Sequence, residues 1–317
     1  MALTDFVLFA SFILLLIMSG IFLVKSLSTI SKFLRLSEFI IGSILLAFAT
    51  SLPEFFLGLT SALTGKNEIA LGNIIGANLL DLTLVVGIPV LLARGIPVGG
   101  RTLRKSSIMM LIYILLPIVL MLIGNKLSRI DGVILFLAFF VYLISILKKK
   151  KLFTKTIVDR IKRLDVVASV AIFIFSVVLL YYSAYGVIEH SVNIASGLEV
   201  PPIFIGLFII AFGTTLPELI AGSGAVLTKH RGLTLGNIIG SVIFNSTIVL
   251  GVSSIIHPIQ APFGAFLSSS IFMLFAAFLF TIFLESGRKI AWKEGLALIL
   301  FYVIFLIVEL SAKNLIF

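Results

Sequence analysis

AFATSLPEFF, residues 47–56, lies inside an apolar run that would otherwise read as one membrane-spanning helix. A second copy, AFGTTLPELI, occupies residues 211–220. Each copy carries a proline, Pro53 or Pro217, which cannot donate the backbone hydrogen bond that a helix interior requires. We therefore predict two helices that are broken at membrane depth, each next to a glutamate and a pair of hydroxyl side chains.

The two copies belong to a longer internal repeat. Ile41 to Gly87 aligns without gaps on Ile205 to Gly251, at an offset of 164 residues, and 20 of the 47 positions are identical. The copies begin in the second and seventh predicted spans, so five spans separate them. An odd number of spans turns the second copy upside down in the bilayer, which predicts an inverted-topology repeat with its substrate site near the midplane.

The composition excludes a soluble domain. Hydrophobic residues make up 60% of the 317 residues, charged residues 12%, and the mean hydropathy is +1.25, whereas soluble domains carry about 25% charged residues. We predict an all-α membrane protein, in which the first segment is a retained helix and the absence of cysteine excludes disulfides and thiolate metal sites. At about 20 residues per span we expect ten helices, at 3–25, 39–63, 69–93, 106–124, 130–147, 166–189, 203–228, 233–256, 264–284 and 290–312.

Charge predicts the orientation of these helices. Of the 24 lysines and arginines, 20 fall in the odd-numbered connections. The positive-inside rule then places these connections in the cytoplasm and both termini outside the cell. The chain divides into a five-helix repeat at 1–147, a basic cytoplasmic linker at 148–165 and a second five-helix repeat at 166–317. The basic surplus is explained by orientation, so no nucleic-acid partner is expected.

The repeat motifs carry oxygen ligands at helical spacing. Thr50 and Ser51 precede Glu54 by four and three positions, which puts them on one helix face, and Thr214, Thr215 and Glu218 repeat the pattern. Hard oxygen donors of this kind suit Ca²⁺ and Na⁺. A glutamate at the bilayer centre is costly, so it indicates function.

The second half of each repeat adds a polar stripe to the next helix. GNIIGANLLDLT at 72–83 aligns Asn73, Ala77 and Asp81, and GNIIGSVIFNST at 236–247 aligns Asn237, Ser241 and Asn245. We expect both stripes to face the glutamates, with the G-x-x-x-G pairs allowing close helix packing. Asn73 and Asn237 could bond across helices or contact ions directly. Three ionised carboxylates would be neutralised by three monovalent cations, or by one Ca²⁺ and one proton.

The other polar residues do not indicate an enzyme. Eight further acids, Glu309 among them, lie at predicted span ends or in loops, where solvation would explain them. The three histidines lie at loop margins, which argues against a zinc site built from imidazoles. A membrane protease would need a histidine within a span, or a second intramembrane aspartate to pair with Asp81.

These motifs resemble the paired alpha repeats of the calcium/cation antiporter superfamily, and most closely its prokaryotic sodium/calcium exchangers. The resemblance implies a cell-membrane antiporter that exchanges Na⁺ for Ca²⁺ by alternating access, functions as a monomer and needs no cofactor. The first and sixth helices would slide across the core. Glu54, Glu218, Thr50 and Thr214 would bind Ca²⁺ at the centre.

The resemblance also implies sodium sites around this centre. An inner site would use the Ala47 carbonyl, Ser51, Glu54 and Ser241, and an outer site the Ala211 carbonyl, Thr214, Thr215 and Glu218. Asp81 and Asn245 would flank a middle position for water or an ion. The residues that would surround these ligands are Asn73, Asn237, Asn78 and Ala77.

Two positions depart from the family pattern. Ala77 stands where sodium/calcium exchangers commonly have serine, and the aspartate and asparagine at 81 and 245 are exchanged between the repeats. A Ca²⁺/H⁺ exchanger, or one for another divalent cation, that uses the same carboxylates is therefore the alternative, although the first motif lacks the G-N-x-x-E form of proton-coupled members. A cation channel could use the same oxygens, but packed inverted repeats suit alternating access better.

Overall fold

The computed structural model describes residues 3–33, 46–98, 100–147, 163–197, 200–227, 231–287 and 289–312. The helices are α1 (Leu3–Phe33), α2 (Ala47–Thr50 and Leu52–Leu63), α3 (Asn67–Leu82 and Leu84–Leu92), α4 (Gly100–Gly124), α5 (Arg129–Leu147), α6 (Arg163–Gly197), α7 (Pro202–Phe204, a π-helical turn Ile205–Ile210, Ala211–Thr214 and Leu216–Leu227), α8 (Arg231–Phe244, a π-helical turn Asn245–Val249 and Leu250–Ile256), α9 (Phe263–Ser286) and α10 (Trp292–Ala312). Within these ranges nine helices are long and apolar enough to span a membrane. The remaining one is α2, whose predicted residues 39–45 lie outside the described residues.

Contacts between connections support the alternation of the spans across the bilayer. Strand β1 (Ile96–Pro97), between α3 and α4, pairs antiparallel with strand β2 (Lys289–Ile290), between α9 and α10. Leu127, between α4 and α5, exchanges backbone hydrogen bonds with Ile259, between α8 and α9. Odd connections thus meet odd ones and even meet even, as ten spans in alternation require.

The centre of the molecule is formed by α3 and α8. In the most apolar part of each helix, 83% of the residues of α3 and 89% of those of α8 are buried, whereas only 17% are buried in α6. The glycines of the first repeat allow the close packing that we predicted, since a Cβ on Gly72 would lie 2.1 Å from the Ile203 carbonyl oxygen, and one on Gly76 would lie 2.2 Å from that of Leu207. The backbones of α3 and α7 are therefore in direct contact.

Helices α1 and α6 pack against each other beside this centre. They contain 31 and 35 residues, which is longer than predicted and longer than the roughly 20 residues that cross a bilayer perpendicularly. Helix α1 crosses both broken helices at Gly20, where an added Cβ would lie 3.0 Å from Pro217 Cγ and 3.2 Å from Pro53 Cγ. A small residue at this position lets α1 lie directly on both helix breaks.

One acidic residue is not where we expected it. Glu309 near the end of α10 is fully buried rather than solvated, because this end of α10 packs against α9. The Ser269 hydroxyl of α9 donates a hydrogen bond of 2.8 Å to Glu309 Oε1. The other oxygen, Oε2, has no hydrogen-bond partner among the described residues.

Candidate ion-binding site

Helices α2 and α7 are interrupted at equivalent residues, which confirms the two predicted breaks. Ser51 has φ −86° and ψ 8°, and Thr215 has φ −82° and ψ −2°. The Ser51 amide donates to the Ala47 carbonyl oxygen at 3.1 Å, and the Thr215 amide donates to that of Ala211 at 3.0 Å. Each break is followed within one helical turn by a glutamate, Glu54 in α2 and Glu218 in α7.

The three candidate carboxylates, one after each break and one on α3, have few partners. Glu54, Glu218 and Asp81 each have 0% exposed surface. Both oxygens of Glu54, both of Asp81 and one of Glu218 have no hydrogen-bond partner among the described residues. A buried carboxylate that is neither paired nor hydrogen-bonded is costly, and a bound cation would supply the missing partner.

Around the first break, hydroxyl and carbonyl oxygens form a compact group. Thr50 Oγ1 lies 3.3 Å from the Ala47 carbonyl oxygen, 3.4 Å from Asn237 Oδ1 and 3.3 Å from Ser241 Oγ. Ser241 Oγ is in turn 3.5 Å from the same carbonyl oxygen. Helix α8 of the second repeat therefore packs its polar stripe on the break of the first repeat.

The second break repeats this arrangement with one oxygen fewer. Thr214 Oγ1 lies 3.2 Å from Asn73 Oδ1 and 3.3 Å from the Ala211 carbonyl oxygen, which also accepts a bond of 2.8 Å from Thr215 Oγ1. The position equivalent to Ser241 is Ala77, which is buried but carries no side-chain oxygen.

The two breaks face each other across the centre. Ser51 Oγ lies 3.5 Å from Glu218 Oε1, which links one motif to the other. Glu54 lies close enough to Asp81 and Glu218 for the three carboxyl groups to interact electrostatically when ionised. No three acidic or histidine side chains in the described ranges converge closely enough to share one metal ion. Hydroxyl and carbonyl oxygens would therefore have to complete the coordination of any ion held here.

Asn73 and Asn237 make the bonds across helices that we considered for them. Each accepts from the threonine hydroxyl of the facing helix through its Oδ1, as given above, whereas the Nδ2 of each is buried without a partner among the described residues.

Beyond these residues both central helices are distorted, a feature that the sequence patterns did not predict. Helix α3 breaks at Thr83, with φ −119° and ψ −78°, two residues after Asp81. Helix α8 changes to a π-helical turn that begins at Asn245. π-Helical turns inside α-helices are frequent at functional sites.

A polar contact near Asn245 adds a residue that we had not predicted, Ser246. Asn245 Nδ2 donates to Asn78 Oδ1 at 3.3 Å, and Asn78 Nδ2 donates to Ser246 Oγ at 2.9 Å. The sequence signal for this residue was that Ser246 of the second repeat aligns with an apolar residue, Leu82, in the first.

Comparison with known proteins agrees with this architecture. The family described as sodium/calcium exchanger protein matches twice, at residues 4–148 and 168–310. CaxA of Alkalimonas amylolytica is 31% identical over 92% of this chain and 94% of its own. The sodium/calcium exchanger MaX1 of Methanosarcina acetivorans is 27% identical over 90% and 93% of the two chains.

A solved structure shows the same likeness in three dimensions. The sodium-calcium exchanger NCX_Mj, soaked with 10 mM Na⁺ and 10 mM Sr²⁺, matches with a TM-score of 0.69 and 26% identity, over 96% of this chain and 98% of the other. With its duplicated family match and paired helix breaks, this chain belongs to the sodium/calcium exchanger protein family.

Proposed function

We propose that this protein is an antiporter that exchanges Na⁺ for Ca²⁺ by alternating access and normally extrudes Ca²⁺ from the cytoplasm. The observation that carries the proposal is the pair of buried glutamates, Glu54 and Glu218, at inverted helix breaks; three of their four carboxylate oxygens have no hydrogen-bond partner among the described residues. If three Na⁺ enter per Ca²⁺, one net charge moves per cycle, which is worth about 2.3 kcal/mol per 100 mV. The membrane potential would then contribute to Ca²⁺ export.

We assign the central site for Ca²⁺ to the two glutamates together with Thr50 and Thr214. Support comes from the position of these threonine hydroxyls, each between a helix-break carbonyl and the polar stripe of the opposite repeat. Carboxylate, hydroxyl and carbonyl oxygens are the donors that Ca²⁺ selects.

The sodium sites follow from the oxygens on either side of this centre. The inner one uses the Ala47 carbonyl, Ser51, Glu54 and Ser241. The outer one uses the Ala211 carbonyl, Thr214, Thr215 and Glu218. Asp81 and Asn245 flank the middle position, where the carboxylate balances charge.

A Ca²⁺/H⁺ exchanger is the second candidate, and one observation favours it. Ala77 removes a hydroxyl from the outer sodium site, whereas Ser241 supplies the equivalent oxygen on the inner side. Protons need a carboxylate but no coordination shell, so they would tolerate this loss better than Na⁺.

The proposed setting is the cell membrane of a prokaryote, in which the protein acts as a monomer. Both termini lie outside the cell and the 148–165 linker in the cytoplasm, as the distribution of lysine and arginine favours. The two halves, 1–147 and 166–317, supply one helix break each.

Ion-gradient-driven uptake tests this function. Purified protein is reconstituted in liposomes loaded with Na⁺, with K⁺, or with an acid-inside pH gradient alone, and uptake of labelled Ca²⁺ is followed. Uptake that needs internal Na⁺ and disappears in Glu54→Gln supports sodium exchange. Uptake driven by the pH gradient without Na⁺ would replace it with proton exchange, and uptake that needs no ion on the other side would indicate a channel.

A further inference from the structure

Three buried side chains next to the candidate site form a chain of hydrogen bonds, which we call the amide relay: Asn245, Asn78 and Ser246. Each of them has at most 1% of its surface exposed. Asn245 on α8 donates its Nδ2 hydrogen to Asn78 on α3, and Asn78 donates its own Nδ2 hydrogen back to Ser246 on α8. The relay therefore joins the two central helices at the level of Asn245.

The direction of the relay determines which atom of the Asn245 amide remains available. An asparagine amide presents an acceptor oxygen on one side and two donor hydrogens on the other. Because Asn78 engages Nδ2, Asn245 Oδ1 is the free atom, and it is buried without a partner among the described residues. A cation requires this oxygen as ligand and would be repelled by the NH₂ group.

Asn245 also lies on the face of α8 that lines the candidate site. It follows Ser241 by four residues, which is about one helical turn, and Ser241 Oγ lies 3.3 Å from Thr50 Oγ1. The free Oδ1 is thus carried by the same stripe that packs on the first helix break.

The equivalent positions across the internal repeat cannot form a second relay. At an offset of 164 residues, the counterpart of Asn78 is Val242 and that of Ser246 is Leu82, both buried and apolar. Asp81, the counterpart of Asn245, accordingly has neither oxygen bonded within the described residues. The two sides of the middle position are therefore chemically different, with an oriented amide on one and an unrestrained carboxylate on the other.

We propose that Asn78 is a positioning residue for ion binding, which orients the Asn245 amide so that its oxygen is presented to the transported cations. This role deepens the proposed function and rests on it. Loss of one buried neutral hydrogen bond changes an equilibrium by about twofold to tenfold. We expect an affinity change of that size when Asn78 can no longer accept from Asn245.

The test compares Asn78→Val, which installs the residue found at the equivalent position, with Asn245→Ala and the double variant. Asn67→Ala is the matched control, because Asn67 lies on the same helix and donates to the His257 carbonyl oxygen at 2.6 Å, away from the site. Apparent affinities for Ca²⁺ and for Na⁺ are measured separately, by the thermal stabilisation that each ion gives to purified protein and by transport in proteoliposomes. Ser246→Ala gives a milder perturbation of the relay should Asn78→Val not fold.

We expect Asn78→Val to weaken binding of the same ion as Asn245→Ala, by about twofold to tenfold, with the other ion little affected. The double variant should be no worse than Asn245→Ala, and Asn67→Ala should lower thermal stability without changing either affinity. Unchanged affinities in Asn78→Val and Ser246→Ala, or additive losses in the double variant, would overturn the positioning role. The wild type without Na⁺-dependent Ca²⁺ uptake would refute the coupling ion instead, because Ca²⁺ binding remains measurable by thermal shift.

Discussion

Replacement of Glu54 by glutamine should remove Ca²⁺ binding while making the ion-free protein more stable. Glu54 is fully buried, and neither of its oxygens has a partner among the described residues. Burial of a carboxylate without a partner is costly, so replacement by a neutral amide lowers that cost in the ion-free protein. A misfolded variant would show the opposite change in stability.

The chain offers a matched control in Glu309→Gln. Glu309 is equally buried and lies in a span, and one of its oxygens is likewise unpartnered among the described residues, but it contacts Ser269 on α9 rather than the repeat motifs. Both substitutions replace one buried carboxyl group with a neutral amide of similar shape. Only Glu54→Gln removes it from the proposed ion site.

The expected loss of affinity follows from the cost of breaking a buried ion pair, roughly 3–5 kcal/mol. At about 1.4 kcal/mol per tenfold, this weakens Ca²⁺ binding by about a hundredfold to a few thousandfold. A ligand at about 100 times its Kd stabilises a protein by about 2.7 kcal/mol. At the same Ca²⁺ concentration, a hundredfold weaker site retains only about 0.4 kcal/mol of that stabilisation.

The assay is the thermal unfolding midpoint of detergent-solubilised protein with and without Ca²⁺. We expect a clear Ca²⁺-dependent rise for wild type and Glu309→Gln, and almost none for Glu54→Gln. A wild-type rise in Glu54→Gln, or an equal loss of the rise in Glu309→Gln, would refute the assignment of Glu54 to the Ca²⁺ site.

Three further predictions concern coupling, sodium affinity and movement. Asp81→Asn should make exchange less sensitive to acid, because one carboxylate that competes for protons is lost, with little effect on folding; an unchanged pH profile and stoichiometry would contradict this. Ala77→Ser should lower the Na⁺ concentration for half-maximal Ca²⁺ uptake a few-fold, since it restores the oxygen that Ser241 provides on the other side; no change would remove position 77 from the sodium site. Gly20→Val should slow turnover but keep the Ca²⁺-induced thermal shift, because the added atoms meet Pro53 and Pro217, whose Cγ atoms would lie only 3.2 and 3.0 Å from a Cβ at this position; a wild-type transport rate would show that α1 does not move at this crossing.

The features that sequence predicted are those fixed by local chemistry. A proline cannot complete the helical hydrogen-bond pattern, so the break before Pro53 follows from the chain alone and recurs at Pro217. The inverted architecture followed from an offset of 164 residues and an odd number of spans. Close packing at Gly72 and Gly76 needed only the spacing of two glycines.

The features that sequence missed depend on neighbours that are distant in the chain. The π-helical turn Ile205–Ile210 has the same apolar composition as an α-helix, and it occurs where Gly206 meets the backbone of α3, so that a Cβ added there would lie only 2.4 Å from the Ile69 carbonyl oxygen. Burial of Glu309 depends on how α10 is rotated against α9. The amide relay required knowledge that Asn78 and Ser246, which are 168 positions apart, face each other.

Asp81 and the Asn245 amide make the two sides of the proposed middle position chemically different, and this difference would affect transport. In an inverted repeat, the two ends of the transport path are related by the pseudo-twofold axis, so a strictly symmetric site would present the same groups to both sides of the membrane. Here the carboxylate belongs to one repeat, and the amide, oriented by Asn78, belongs to the other. Net charge is the same as with the reverse arrangement, but its location relative to the axis is not. We therefore expect this exchanger to bind its ions with different affinities from its two sides, an asymmetry that Asp81→Asn combined with Asn245→Asp should reverse.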